Sequence, residues 1–196
     1  HLCLMEHRGV KVVIDVRNMK DPGRGADSGA QYLGSGGGNY IMCEGGHIQI
    51  KRGGGEAFDT AGNSIVKYKG DGGVKHYFNF IEAVRTGNSE SLACDIEVGH
   101  LSTTLCHLAN IGYRAGKAAQ PEELRDSLKQ HEDAVNTLES MLTQLANNKV
   151  DLKSKPFVAG PKLSYDPQVE QFTGVHAEEA NQFIKRAYRE PFTMPA

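Results

Sequence analysis

With 196 residues, 39% hydrophobic and 23% charged, the chain has the composition of a globular protein long enough for one sizeable core or two small ones. A net charge of −2 offers no basic surface for nucleic acid, whose phosphates demand clustered Lys and Arg. No apolar run reaches the length of a membrane span.

The chain opens on His1 rather than Met. We read this as an engineered or proteolytic boundary, so the want of a leader segment says nothing about a longer gene product. The four cysteines, Cys3, Cys43, Cys94 and Cys106, are scattered and form no C-x-x-C pair. They read as buried or half-buried thiols rather than as a disulfide framework.

Leu2–Glu6 and Val10–Arg17 are predicted strands around Arg8-Gly9. In the second, Val10, Val12, Ile14 and Val16 alternate with Lys11, Val13, Asp15 and Arg17, the two-residue period of a sheet with one wet face. Asp21–Gly38 has the composition of a long loop, of the kind that is either functional or disordered. Three short strands are predicted next, Tyr40–Cys43, Ile48–Lys51 and Ile65–Tyr68. Turn residues at Glu44-Gly45-Gly46 and Thr60–Asn63 are too few for parallel crossovers, so antiparallel pairing is expected.

From His76 to Gly116 the pattern becomes helical. Tyr77, Phe80, Ile81 and Val84 form one apolar stripe, and Gly87 stands where a left-handed C-terminal cap would. Asp95 is placed to cap a second helix, with Glu97 in its first turn. Leu101, Leu105, Leu108 and Gly112 share a face with Ile111 beside them, and Gly112 would let another backbone approach closely. Pro121 suits the first position of a third helix. Leu124, Leu128, His131, Val135, Leu138, Leu142 and Leu145 then give a heptad seam about three repeats long, read as an amphipathic helix laid along its own domain. Lys149–Gly174 is expected to be irregular. A last helix, Ala177–Glu190, should bury Ala180, Phe183, Ile184 and Ala187 before Pro191 stops it. The fold class is therefore α+β: an open, mainly antiparallel sheet with helices packed on one face and a helical C-terminal extension. We take 1–196 as one domain, with a strand- and Gly-rich part over 1–75, a helical pair over 76–116 and a helical and irregular extension over 117–196.

Familiar catalytic signatures are missing. Gly34–Asn39 lacks the Lys-Ser/Thr of a phosphate loop, and no G-x-G-x-x-G or G-x-S-x-G occurs. No His/Cys pair has metal-ligand spacing on a helix, and His100 and His107 lie two turns apart. Asp95 and His100 could act as an acid–base pair only if the segment before His100 is not regular helix. Helix capping by Asp95 and a surface or packed His100 is the simpler account.

The phrases HYFNFIEAVRTG and CDIEVGHLSTTLCHLANIGYRAG, within His76–Gly116, resemble the C-terminal half of the glucose–fructose oxidoreductase / inositol dehydrogenase (Gfo/Idh/MocA) family. They are most similar to bacterial members with an extended C-terminus. EGGHIQI resembles that family's sheet hairpin. VDLKSKPFVAGPKLSYDPQVEQFTG, ANQFIKRAYREPF and the final Pro resemble the subgroup's tail, so the likeness spans most of Tyr40–Pro195.

The resemblance implies a two-domain oxidoreductase. Its N-terminal Rossmann domain would bind NAD or NADP and its C-terminal domain would present the sheet. A sugar or polyol would sit between them, and the sheet face would serve as the homo-oligomer interface. The Rossmann unit, the Glu-Lys-Pro segment with its catalytic lysine and the Asp-x-x-x-His proton donor belong upstream of this sequence. No catalytic, cofactor-binding or metal-binding residue therefore carries over. The chain is expected to be the later part of the C-terminal domain, without cofactor and inactive alone, and the compartment, cytoplasm or periplasm, stays open. His76, Asn79, Arg85, Asp95 and His100, polar groups in or beside apolar helices, are candidates for a substrate-facing wall; each could equally be a cap or a surface or packed polar residue. A non-catalytic sheet module for ligand binding or assembly is the alternative.

Overall fold

The computed structural model describes residues 1–22, 29, 31, 36–154, 157–186 and 188–192. Most of the Gly-rich loop predicted over Asp21–Gly38, including Gly34 and Ser35, lies outside them, as do Ala187 and Pro195. The fold is α+β, and every strand pairing among the described residues is antiparallel. Two compact units divide the chain, His1–Ala26 with Leu101–Ala196, and Asp27–His100.

In the first unit, β1 (Leu2–His7) and β2 (Val10–Asp15) form a hairpin closed by Arg8 and Gly9. Both have positive φ (51° and 79°), the backbone that matches a two-residue turn to the twist of its strands. The hairpin is tied to α4 (Glu132–Asn147) by polar side chains. Arg17 donates to the Thr137 carbonyl at 3.1 Å and to Ser140 Oγ at 3.0 Å, while Gln144 Nε2 and Asn148 Nδ2 donate to the carbonyls of Met19 and Lys20 at 2.7 and 2.8 Å.

The heptad seam is buried at Leu138 and Leu142 as expected, but one long helix is not what carries it. α3 (Pro121–Leu128) ends, residues 129–131 turn, and α4 begins at Glu132. The reversal lets Arg125 meet Glu139 with two bonds, of 2.5 and 3.1 Å. Fourteen residues of straight helix would hold that pair about 21 Å apart. A heptad pattern records which residues are buried, and a turn that preserves their burial leaves it intact.

Beyond α4, the stretch expected to be irregular, Lys149–Gly174, contains three-residue strands, one of which pairs back to a strand ahead of α3. β7 (Lys117–Ala119) pairs with β8 (Phe157–Ala159), and β9 (Ser164–Asp166) with β10 (Gln171–Thr173). Three residues are too few for alternation to show in a sequence. α5 runs only Ala177–Asn181, well short of Pro191. Asn181 instead turns its amide onto β10, accepting from Phe172 N–H at 2.8 Å and donating to its carbonyl at 3.0 Å. The core here is Ile111, Phe172 and Ala180, with Leu108, Tyr165, Phe183 and Ile184 packed around it.

The predicted close approach at Gly112 occurs, with the constraint on the other partner. A Cβ on Gly160 would meet the Gly112 carbonyl oxygen at 2.6 Å, whereas one on Gly112 would meet nothing within 4 Å.

The second unit holds a four-stranded meander, β3 (Asn39–Cys43), β4 (Gly46–Lys51), β5 (Gly54–Phe58) and β6 (Ser64–Lys69). β5 was not expected, because Gly54-Gly55 reads as a turn. Glycine is required there: a Cβ on Gly54, at φ 144°, would fall 2.1 Å from the Tyr68 carbonyl oxygen.

Register sorts the two faces. Ile41, Ile48, Ala57 and Val66 line up across one face, with Ile50, Gly55 and Tyr68 in the next row. The other face carries Tyr40, Gln49, Glu56 and Lys67 and, beside them, Met42, His47 and Phe58. Rings of Tyr40, His47 and Phe58 stack at centroid spacings of 4.6 and 4.7 Å. α1 (Lys75–Thr86) and α2 (Ile96–Arg114) follow, joined through a 3-10 turn at Ser89–Ser91.

Candidate functional site

The five residues singled out from the sequence all lie on α1, on the loop after it, or at the start of α2. Asn79 is committed to that loop: its Nδ2 donates to the Ser91 carbonyl at 2.7 Å and its Oδ1 accepts from Ala93 N–H at 2.8 Å. Asp95 caps α2, accepting from Val98 N–H at 2.8 Å. Both side chains answer backbone groups that the loop and the helix start would otherwise leave unpaired. Helical geometry over 96–100 places His100, which is exposed, more than a turn beyond Asp95. The non-helical segment an acid–base pair would need is therefore absent.

His76 and Arg85 lie at the two ends of α1, His76 beside the Tyr77 ring at 5.3 Å and Arg85 in the last turn, where the helix dipole favours a cation. Nine residues at 100° each put them on opposite flanks of the helix. They border a shared surface, and they do not converge on one small molecule.

That shared surface is the apolar stripe. Tyr77, Phe80, Ile81 and Val84 are 72, 59, 48 and 65% exposed, while the buried residue of the helix is Ala83 on another side. The loop that enters α1 is nevertheless fixed by hydrogen bonds. Asp71 accepts from Gly73 N–H and Lys75 N–H at 2.8 and 3.3 Å, and Arg52 Nε donates to the Gly72 carbonyl at 2.8 Å. The Gly73 and Lys75 bonds hold the Asp71 carboxyl below its ordinary range. Gly87, at φ 64°, closes the other end in the left-handed conformation expected. The sheet repeats the theme, with Ile41, Ile50, Val66 and Tyr68 exposed on its apolar face. Contiguous apolar surface of this kind is costly in water and marks contact with another body.

Two shallow recesses lie among the described residues. One, about 380 Å3, lies at the end of the meander beside Met42, Cys43, His47 and Asp59. Its carboxylate is already spent: Asp59 accepts from Asn63 Nδ2 at 3.0 Å and from the N–H groups of Asn63 and Ala61 at 2.8 and 2.9 Å. Those bonds, the Asn63 side chain first, keep its pKa low and make it a poor general base.

The other, about 350 Å3, is lined by Arg186, Tyr188, Arg189 and Phe192. We did not single these residues out from the sequence, where Arg186, Tyr188 and Arg189 fell inside the predicted helix Ala177–Glu190 and Phe192 just beyond it. Among the described residues no group of three or more His, Cys, Asp or Glu side chains is placed to hold a metal ion. No helix there is long and apolar enough to cross a membrane. Comparison with protein-family models, with curated proteins and with solved structures finds no match to this chain.

Proposed function

We propose that the chain is the sheet-bearing part of an NAD(P)-dependent oxidoreductase of the glucose–fructose oxidoreductase / inositol dehydrogenase type, acting on a sugar, polyol or related small molecule. In this reading it supplies a wall of the substrate cleft and an oligomer interface, while the nucleotide cradle and the proton-transferring residues lie on polypeptide outside this sequence. The phrases of His76–Gly116 motivate the family. The observation that carries the structural half is the pair of bare apolar surfaces, one on the sheet and one on α1. A unit that fixes the loop entering its helix with hydrogen bonds and still leaves Phe80 and Val84 in solvent supports a reading in which another body covers them. The sheet face is assigned to a second copy of the chain.

Hydride transfer needs a nicotinamide held against the substrate, and that chemistry is assigned to the absent portion. Asn79 and Asp95 serve here by fixing the loop that borders the stripe.

Sedimentation velocity over a range of concentrations tests the assembly. The chain should run as a dimer or larger, and Val66→Lys, on the apolar sheet face, should shift it toward monomer. A monomer throughout, unaffected by that substitution, would sink the interface. Saturable binding of NADH by this chain alone would overturn the placement of the cofactor site elsewhere. The alternative, a non-catalytic module for ligand binding or assembly, is favoured by the same bare sheet face and predicts the same dimer without a dinucleotide-binding partner.

A further inference from the structure

We draw no further inference here: the strongest candidate, the open edge of the meander at β6, whose residues Ser64–Lys69 are all exposed at the end of the sheet among the described residues, adjoins the apolar face already assigned above, and nothing in the structure shows what covers that edge.

Discussion

Replacing Arg17 by Met should be among the most damaging single changes in the first unit. Its side chain is 8% exposed and that of Asp15 15%. The guanidinium meets the carboxylate twice, at 2.9 and 3.0 Å, and also serves Ser140 and the Thr137 carbonyl on α4. Met keeps much of the apolar volume and removes every donor. The carboxylate of Asp15 is then left nearly dry and unpaired, a situation that costs about 3–5 kcal/mol. The pair sits at the rim of the helix–hairpin contact rather than deep in a core, so about 3 kcal/mol is the working figure. At about 2.1 cal/mol/K per residue and about 120 residues, that lowers the midpoint of unfolding by about 12 °C.

The double substitution Asp15→Asn with Arg17→Met removes the orphaned charge and should recover about half of the loss. Thermal and urea unfolding followed by circular dichroism at 222 nm give both values. A cost below about 1 kcal/mol for Arg17→Met, or strictly additive effects in the double variant, would refute the argument that the charge pair ties the hairpin to α4.

Gly160→Ala should destabilise by about 1–3 kcal/mol, because its Cβ would press on backbone, the Gly112 carbonyl. Gly112→Ala, in open space within α2, should be neutral or stabilising by up to about 1 kcal/mol; chemical denaturation distinguishes the pair. Phe80→Ser on the bare stripe should change the stability of the second unit by no more than about 0.5 kcal/mol, and a loss of 2 kcal/mol or more would show that the stripe is packed. The Arg125 hydrogen bond holds the Glu139 carboxyl below its ordinary value of 4.5. The stability it contributes is therefore present above pH 4.5 and lost as pH falls through the lowered value. Glu139→Gln should flatten that part of an acid titration of unfolding, and an unchanged acid limb would contradict the assignment.

Local chemistry fixed much of the chain in advance. Arg8-Gly9 turns the first hairpin, Gly87 ends α1, Asp95 begins α2 and Pro121 begins α3, because each depends only on backbone groups a few residues away. The two-residue alternation of Val10–Arg17 likewise announced β2.

What the sequence could not show is where distant backbone comes close. β5 is built from glycines that read as a turn until Tyr68 is placed against Gly54. The heptad seam predicts burial and is silent on the reversal at 129–131 that brings Arg125 to Glu139. α5 stops at Asn181 because that side chain finds the edge of β10. Among the candidate site residues, polar type alone could not separate a ligand contact from a cap. Tertiary structure committed Asn79 to the loop after α1, whereas the cap at Asp95 and the opposite flanks of His76 and Arg85 follow from local helix geometry. Residue type and spacing determine which groups can bond or bury. Only the fold decides which partners reach them, since each bond across the chain depends on the path of all the residues between.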